Sequence, residues 1–408
     1  MLLHRFQVLF YSAGVNTYHF IIFLASHFNN KAKLFVEGRK MVLSNLAELA
    51  PKLKGNKYWF HCASLGEFEQ GRPLIEAIKR LHPDSSIILT FFSPSGYEVQ
   101  KNYPLANAVY YLPKDSASNA RKWFEILAPD GVFFVKYEFW YHYLHQANTK
   151  KVPLYLISAT FHSEQIFFKY YGGFFRRILK MYNQIFVQNN SSKKLLEEIS
   201  ITSIKSGDTR FDRVLSISIT RKPIPFIEKF KGNQLLLVLG SSWEAEEDIL
   251  SHFLKKKPSN LKIVIAPHDI SRSENLARQF GGTLFSKFSA NQKTELLIVD
   301  NIGMLSSLYY YADIAFVGGG YSGKLHNILE AAVFGKPVIF GPEINKFHEA
   351  LELIQMGGGF AAKNESDFLN IINKLTKESR FRETTGAKAA AYVSENTGAT
   401  DKILRELF

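Results

Sequence analysis

Short apolar runs alternate with amphipathic segments along most of the chain. In the first half, six runs have the length and composition of buried strands: 58–62, 87–92, 108–112, 132–135, 154–158 and 184–187. The segments between them repeat apolar residues at helical spacing, in 68–81, 116–127, 139–149, 165–181 and 191–199. Continuous apolar strands that alternate with helices predict a parallel sheet covered on both faces.

The alternation stops once and then begins again. Residues 212–233 include Lys222-Pro223-Ile224-Pro225 and Lys231-Gly232-Asn233, a composition that predicts a linker. Beyond it, apolar runs at 235–239, 262–265, 296–299, 314–317 and 338–340 alternate with helical patterns at 245–253, 271–279, 304–311, 347–355, 365–375 and 380–392. The pattern predicts an α/β chain with two doubly wound parallel-sheet domains, whose strand carboxyl ends face a cleft.

The predicted domain boundaries follow from these patterns. An N-terminal segment covers residues 1–40, the first domain 41–218, the linker 219–232 and the second domain 233–385, and C-terminal helices in 386–408 can pack back on the first domain. Residues 6–30 contain no Asp, Glu, Lys or Arg and are long enough to cross a bilayer, although polar residues dilute them. The basic residues that follow favour the cytoplasmic face of a membrane. We interpret residues 1–40 as a membrane anchor or interfacial helix, with an ordinary buried helix as the alternative.

The charge of the chain indicates its class of partner. Fifty Lys and Arg against 37 Asp and Glu give a net charge of +13, which favours nucleic acid, an anionic membrane or a phosphorylated substrate. The basic residues do not form the Arg-rich, aromatic-interleaved stripe typical of nucleic-acid readers, so nucleic acid is not predicted. The single cysteine, Cys62, excludes an intrachain disulfide framework, and its apolar strand predicts a buried, inert thiol.

A glycine-rich segment is the strongest local signal for a ligand. The strand at 314–317 runs directly into Gly318, Gly319 and Gly320, and a helix is predicted to begin near Lys324. Strand–glycine loop–helix units hold nucleotide phosphates, because glycine lets the backbone approach closely and helix-start N–H groups face the anion. The alternative is an ordinary crossover with a glycine-rich turn. Four polar side chains near the predicted helix start favour the ligand: Lys324, His326, Asn327 and Glu330.

Two other loops follow strands of the second domain. Gly240-Ser241-Ser242 follows its first strand, and Ala266-Pro267-His268-Asp269 follows its second. Because the carboxyl ends of parallel strands share one edge, both loops are expected beside the glycine loop. His268 is therefore a candidate ligand contact.

Two glutamates at strand ends are candidate acid–base groups. Ser64-Leu65-Gly66-Glu67 follows the first strand, where Ser-x-x-Glu is also the pattern of a helix capping box. Glu138 follows the strand at 132–135 and is flanked by three aromatic residues, although a helix-start glutamate stabilised by the dipole is the alternative. If both carboxylates face one cleft, they could perform general acid–base chemistry on a sugar hydroxyl.

Several motifs are absent from the sequence. There is no CxxC, HExxH or tight His/Asp cluster, so neither a metal nor another cofactor is predicted. There is no Walker lysine motif and no GxSxG elbow, which argues against NTP hydrolysis and a serine hydrolase.

Ordered motifs over nearly the whole chain resemble the 3-deoxy-D-manno-octulosonic acid (Kdo) transferases of lipopolysaccharide biosynthesis, which have the GT-B fold. The similar segments are Gly38-Arg39-Lys40, 59–67 (WFHCASLGE), 90–98 (TFFSPSGYE), 111–115 (YLPKD), Glu138-Phe139-Trp140, 206–212 (SGDTRFD), Gly240-Ser241-Ser242 with Glu244, Glu246 and Glu247, 316–320, His326-Asn327 with Glu330, and Phe340-Gly341-Pro342. So many matches in order make the resemblance specific.

The resemblance implies a GT-B protein that transfers Kdo from CMP-Kdo to a glucosamine hydroxyl of a lipid A precursor, a phosphorylated, acylated glucosamine disaccharide. It implies inversion without a metal, at the cytoplasmic face of the inner membrane. Glu67 would be the base and Glu138 a second acceptor-side carboxylate. The residues implied to bind CMP-Kdo are Ser241, Ser242, His268, Gly319, Gly320, Lys324, Asn327 and Glu330.

The sequence departs from the family pattern in the second-strand loop. Pro267 stands where the family usually has Arg before His268, and Lys324 stands where a glycine is usual. We hypothesise that Lys324 or Arg272 supplies the missing positive charge.

Two other functions remain open from the residues alone. One is a nucleotide-sugar epimerase of similar two-domain fold, which would have no need of an apolar, basic N-terminal segment. The other is a non-catalytic protein that binds anionic lipid.

Overall fold

The computed structural model describes residues 2–289 and 291–408. The chain forms two compact units. The first contains residues up to Arg213 together with Gly398–Phe408, and the second contains Val214–Thr397.

The first unit is built on a seven-stranded parallel sheet with the order β3-β2-β1-β4-β5-β6-β7. Its strands are β1 Lys57–Cys62, β2 Ser86–Phe91, β3 Ala108–Tyr111, β4 Gly131–Val135, β5 Leu154–Ala159, β6 Gln184–Val187 and β7 Ile204–Lys205. The six strands predicted for this half are confirmed, and β7 is an additional two-residue edge strand. Alternate residues along β1 pack into different cores, Trp59 on one face and Phe60 on the other, as a sheet covered on both faces requires.

In the described part of the chain, ten helices begin before the predicted linker and one more returns to the first unit at the end of the chain. The ten are α1 Leu2–Ala25, α2 Asn30–Glu37, α3 Val42–Leu49, α4 Leu65–Leu81, α5 Pro94–Gln100, α6 Ala117–Leu127, α7 Tyr141–Thr149, α8 Gly173–Leu179, α9 Asn190–Glu198 and α10 Thr209–Ile219. The boundary between the units falls within α10. Residues 219–232, predicted as a linker, contain a short helix, α11 Ile227–Lys231.

The predicted helix at 165–181 is wrong in its first half. A single 3₁₀ turn covers Ile166–Phe168, and α8 begins only at Gly173. The backbone doubles back at Gly172, where a Cβ would lie 1.9 Å from the carbonyl oxygen of Ile166. Arg176 Nη1 donates to the carbonyls of Phe167 (2.9 Å) and Lys169 (2.8 Å), which satisfies the broken turn.

Helix α1 packs on the first unit by one face and leaves the other exposed. The Tyr11 hydroxyl donates to Asp115 Oδ2 (2.6 Å) and accepts from the Tyr141 N–H (3.2 Å), at the start of α7. Tyr18 stacks on Phe92 at 6.1 Å. The opposite face exposes large apolar side chains, including Phe6, Leu9, Phe10, Phe20, Ile21 and Leu24. An ordinary buried helix is therefore excluded, and His4–Ala25 is long and apolar enough to cross a membrane.

The second unit contains a second seven-stranded parallel sheet, with the order β10-β11-β9-β8-β12-β13-β14. Its strands are β8 Leu235–Ser242, β9 Leu261–Pro267, β10 Thr283–Leu284, β11 Leu296–Ile298, β12 Ile314–Val317, β13 Val338–Phe340 and β14 Gly359–Ala361. The remaining helices are α12 Glu244–Leu254, α13 Ser273–Phe280, α14 Leu305–Tyr311, α15 Leu329–Ala332, α16 His348–Gln355, α17 Glu365–Lys377, α18 Ser379–Glu395 and α19 Ala399–Leu407. The two edge strands β10 and β14 were not predicted.

The helix predicted to begin near Lys324 begins five residues later, at Leu329. Residues 318–323 form turns, with Gly319 at φ 86° and Gly323 at φ 65°, and residues 324–327 are irregular. The N–H groups of Lys324 and His326 donate back to the carbonyls of Gly319 (2.9 Å) and Gly318 (3.1 Å), so this loop is closed on itself.

Each sheet has a central point where the strands continue on the opposite side of the first strand of that unit. In the first sheet it lies between β1 and β4, and in the second between β8 and β12. Ligands of doubly wound sheets bind outside the carboxyl ends of the strands at such points. Glu67 and Glu138 follow β1 and β4, and Ser241 and Gly318 lie at the ends of β8 and β12.

Candidate active site

Glu67 lies in the first turn of α4, directly after β1. The Ser64 hydroxyl donates to Glu67 Oε2, and it makes no side-chain bond to the helix-start N–H groups. The capping-box interpretation is therefore wrong for this pair. Among the residues that the structure describes, Glu67 Oε1 has no hydrogen-bond partner. Glu67 is half-buried, so a ligand can reach this oxygen.

Glu138 is buried after β4, with an exposed fraction of 7%. Its Oε2 accepts from His61 Nε2 (2.9 Å) and from the Trp140 indole N–H (2.5 Å). The backbone just before it is strained, because Lys136 has a left-handed φ of 68°. Strain of this kind occurs where a structure fixes a side chain for a function. Glu138 Oε1 has no partner within the described part of the chain, which leaves one oxygen for a ligand.

A buried polar network connects Glu138 through His61 to Thr90. The Thr90 hydroxyl lies 2.9 Å from His61 Nδ1 and 3.2 Å from the Phe60 carbonyl, and it accepts from the Trp59 indole at 2.8 Å. A threonine hydroxyl has one proton to donate. If the shorter contact receives it, His61 Nδ1 is the acceptor and Nε2 carries the proton. His61 then donates to the Glu138 carboxylate.

Sequence reasoning assigned no role to Trp59, His61 or Thr90. The sequence did indicate that Trp59 and His61 lie together, because alternate residues of a strand share one face and both lie in β1. A histidine in the middle of a fully buried strand requires polar partners, which Thr90 and Glu138 supply. Cys62, at the end of the same strand, is buried as predicted, and burial raises the pKa of its thiol.

In the second unit, three rings gather at the ends of β8 and β9 and in the glycine loop. Trp243 stacks on His268 with centroids 4.3 Å apart, and His268 lies 4.7 Å from His326. The Trp243 indole N–H donates to His326 Nε2 at 3.2 Å. Burial, with a smaller effect from His268, lowers the pKa of His326 to about 4, so the ring is neutral at pH 7 and can accept this bond.

The two candidate cations of the second unit differ in their partners. Arg272 donates to both oxygens of the buried Glu247, at 3.2 and 2.6 Å, so its charge is compensated. Lys324 is exposed and lies 5.6 Å from the Trp243 ring centroid, with no ion-pair partner among the described residues. Lys324 is therefore the better candidate for contact with an anion.

Ser241 and Ser242 have different environments. Ser242 is fully buried and donates to Glu247 Oε1 at 2.7 Å, so its hydroxyl supports the loop. Ser241 is half-buried, and its left-handed φ of 53° is unusual for a serine. Binding by Ser242 would require its bond to Glu247 to break, whereas Ser241 needs no such change.

The glycine loop already binds a carboxylate of the protein itself. The Gly319 N–H donates to Oε1 of the fully buried Glu246 at 2.9 Å, and the Trp243 N–H donates to Oε2 at 3.1 Å. Burial raises the pKa of Glu246, and backbone hydrogen bonds oppose that shift. At Gly320 a Cβ would lie 2.4 Å from the Gly341 N, so glycine is needed there for backbone packing. The Gly319 N–H is thus already paired and is not available to a ligand. Binding of CMP-Kdo at Gly319 and Gly320 stays a prediction, supported by the close backbone approach that glycine allows.

Asn327 and Glu330 lie together at the start of α15. Asn327 Nδ2 donates to Glu330 Oε1 at 3.4 Å, and the Ser306 hydroxyl donates to Glu330 Oε2. The side-chain Oδ1 of Asn327 accepts from the Leu329 N–H at 3.2 Å. Residues 2–289 and 291–408 contain no group of three or more His, Cys, Asp or Glu placed to hold a metal ion.

Comparison with known proteins identifies the class and then the family. The fold is the two-domain GT-B type: a UDP-GlcNAc 2-epimerase from Neisseria meningitidis, solved with UDP-GlcNAc, matches with a TM-score of 0.61 and 16% identity over 86% of this chain and 99% of that one. MurG from Acinetobacter baumannii matches with a TM-score of 0.56 and 12% identity, over 86% and 99% of the two chains.

The sequence decides between the enzymes that share this fold. Residues 38–213 match the family model described as 3-deoxy-D-manno-octulosonic-acid transferase (kdotransferase). The 3-deoxy-D-manno-octulosonic acid transferase of Aquifex aeolicus is 30% identical over 333 residues, which cover 78% of this chain and 85% of that protein. The chain belongs to the Kdo transferase family and is a glycosyltransferase. The epimerase and the non-catalytic binder are therefore excluded as its function.

Proposed function

We propose that this transferase moves Kdo from CMP-Kdo to a glucosamine hydroxyl of a phosphorylated, acylated lipid A precursor, with inversion at the anomeric carbon. The first unit binds the acceptor and the second binds CMP-Kdo. The observation that supports this most is the half-buried Glu67, whose Oε1 is unpaired within the described residues at the central point of the first sheet, between β1 and β4. A general base on the acceptor side needs such an available oxygen.

In the proposed reaction, Glu67 Oε1 takes the proton of the acceptor hydroxyl as that oxygen bonds to the anomeric carbon of Kdo. The bond from this carbon to the phosphate oxygen breaks on the opposite side, and its electron pair leaves with CMP. The proton remains on Glu67. The Ser64 hydroxyl donates to the other oxygen of Glu67, which holds the carboxylate in one orientation.

Glu138 serves as the second acceptor-side carboxylate. His61 and Trp140 both donate to its Oε2, which fixes the side chain and directs Oε1 to the ligand. An acceptor-sugar hydroxyl can donate to Oε1. Because His61 and Trp140 hold Glu138 in the buried site while Glu67 is more exposed, we assign Glu138 to sugar binding and Glu67 to proton removal.

On the donor side, the stacked rings of Trp243 and His268 offer a flat surface for the cytosine base. Lys324 is available to the phosphate, whose negative charge grows as CMP leaves. Ser241 adds a hydroxyl, and Asn327 with Glu330 can bind the ribose hydroxyls by exchanging their present hydrogen bonds. No metal enters this proposal.

We place the enzyme at the cytoplasmic face of the inner membrane, with α1 as an interfacial helix. One face of α1 is held by the first unit, and the exposed face is apolar. A helix with this division lies in the membrane surface. Basic residues that follow α1 favour anionic lipid.

The proposal is tested by incubating the full-length protein with CMP-Kdo and a tetra-acylated lipid A precursor and measuring the product by mass spectrometry. We expect an increase by the mass of Kdo in the acceptor and release of CMP. A product only with another sugar nucleotide, or hydrolysis of CMP-Kdo without transfer, would contradict the proposed substrates.

A further inference from the structure

A basic cavity of about 270 Å³ lies in the first unit, away from the two candidate carboxylates. Its walls come from α1, from the turn between α2 and α3, and from the loop between β3 and α6. The lining residues that matter are His19, Phe23, Arg39, Lys40, Lys114 and Asn119. Neither Asp nor Glu lines it among the described residues. Its chemistry is therefore that of a site for an anion.

Arg39 forms the base of this cavity and is held by the protein itself. Its guanidinium donates to the carbonyls of Leu112 (2.8 Å), Phe35 (2.7 Å) and Phe92 (2.6 Å). Burial lowers the pKa of Arg39 to about 9, so the group is still charged at pH 7. Carbonyl oxygens carry no net charge, and Arg39 therefore gives the cavity an uncompensated positive charge.

Lys40 and Lys114 add two charges that can move. Neither makes an ion pair or a side-chain hydrogen bond in the described part of the chain. Lys40 is exposed and Lys114 is half-buried, so both can reach an anion without breaking an existing contact. Flexible ammonium groups are ordinary phosphate ligands.

One wall of the cavity continues into the apolar surface of α1. Phe23 lines the cavity and is 49% exposed. Next to it on α1 are Phe20, 60% exposed, and Leu24, 50% exposed, and Phe28 just beyond the helix is 95% exposed. An anion in the cavity would thus sit beside a surface suited to acyl chains.

We propose that this cavity binds the phosphate monoester of the acylated acceptor, with the lipid chains lying along α1. This inference rests on the proposed function, because it assigns part of that acceptor to a new site. The cavity is smaller than the roughly 300 Å³ of most small-molecule pockets, so it takes a head group and not a whole lipid.

A monoester suits the cavity better than the diester of a bulk phospholipid. A monoester carries about −1.5 to −2 charge at pH 7, as phosphorylated side chains do, and the cavity holds three cations. The site also connects to the acceptor side, since Arg39 binds the Phe92 carbonyl and the Phe92 ring stacks on Trp140 at 4.7 Å. Trp140 in turn donates to Glu138. A phosphate held here lies on the same side of the first unit as the proposed acceptor sugar.

The test compares two double variants with equal loss of charge. Lys40→Met with Lys114→Met removes two of the three cations of the cavity, whereas Lys31→Met with Lys33→Met removes two exposed lysines of α2 outside it. Transfer from CMP-Kdo is measured in detergent without phospholipid, using the acceptor with its phosphates and the same acceptor after phosphatase treatment. Thermal unfolding checks that each variant is folded.

For the cavity variant, we expect the KM of the phosphorylated acceptor to rise about tenfold or more, with kcat and the KM for CMP-Kdo little changed. With the dephosphorylated acceptor, the KM of the variant should differ from that of the wild type by less than about twofold. Both double variants should bind phosphatidylglycerol vesicles more weakly to a similar extent.

Three results would overturn the inference. They are an equal rise of KM for both acceptors, identical behaviour of the two double variants, or a defect that appears only with phosphatidylglycerol vesicles, which would assign the cavity to bulk phospholipid. If the wild type transfers no Kdo at all, the proposed function fails first, so the two failures are distinguishable.

Discussion

Each of the two units contains a seven-stranded parallel sheet, and the two units use their carboxylates in opposite ways. In the first unit, Glu67 and Glu138 each keep an oxygen that is unpaired within the described residues. In the second unit, Glu246 and Glu247 occupy the equivalent edge of the sheet, but backbone N–H groups and Arg272 satisfy them. A glutamate at a strand end is thus a candidate catalyst only if its partners leave an oxygen available.

The largest effect should come from Glu67→Gln. The amide keeps the shape but cannot accept the hydroxyl proton, so we expect kcat for Kdo transfer to fall by about 10²- to 10⁴-fold. Acceptor binding, measured without donor, should change little. Glu125→Gln is the control, because Glu125 is exposed on α6. A Glu67→Gln enzyme with normal turnover would remove the general base from the proposed mechanism.

His61→Leu should have the next largest effect, as a positioning change. It removes the ring N–H that donates to Glu138 and supplies no other donor, so we expect the acceptor KM to rise about tenfold or more while the CMP-Kdo KM stays constant. Thr90→Val is the companion variant, since it removes the hydroxyl that orients the ring but keeps the side-chain shape. Steady-state kinetics across pH for both variants provide the measurement. Equal changes in the two KM values would indicate a general structural defect instead.

Glu246→Gln should affect stability more than chemistry. The amide group faces backbone N–H donors that need an acceptor, so we expect the free energy of unfolding to fall by about 1–3 kcal/mol. The pKa of Glu246 is raised in the folded protein, so its carboxyl gives the wild type most stability at low pH and less as pH rises through that pKa. The difference between variant and wild type should therefore shrink from pH 4 to pH 7. Urea denaturation at both pH values tests this, and a pH-independent difference would argue against the assignment.

The smallest effect separates the two candidate cations of the donor side. Lys324→Met should raise the KM for CMP-Kdo by about tenfold, because it removes a charge available to the phosphate. Arg272→Met should leave that KM nearly unchanged and instead lower stability, because it leaves the buried Glu247 without its cationic partner. Unchanged KM values for both variants would end the hypothesis that either residue replaces the family arginine.

Most of the fold could be predicted from the sequence because its strands are buried on both faces. Runs such as 132–135 and 314–317 are continuously apolar and short, as strands buried on both faces require. Edge strands such as β7 and β10 are only two residues long and carry no such pattern. The helix expected near Lys324 failed because glycines at positive φ turn the chain back before a helix can begin.

The sequence could predict where the candidate site lies but not the contacts of its side chains. Because Glu67 and Glu138 follow neighbouring parallel strands, they were expected at the same edge of the sheet. Whether Ser64 caps a helix or holds a carboxylate depends on a side-chain rotamer, which no residue pattern specifies. The role of His61 depends on Thr90, which lies on a neighbouring strand and has no sequence relation to it.

The contact between Tyr11 and the start of α7 has a practical consequence. A shortened protein without α1, made to improve solubility, would leave the buried Asp115 without its phenol partner and would uncover the ring of Phe92. Phe92 supports Trp140, which in turn supports Glu138. Removing α1 would therefore weaken the contacts that position Glu138, and the full-length protein in detergent is the form to assay.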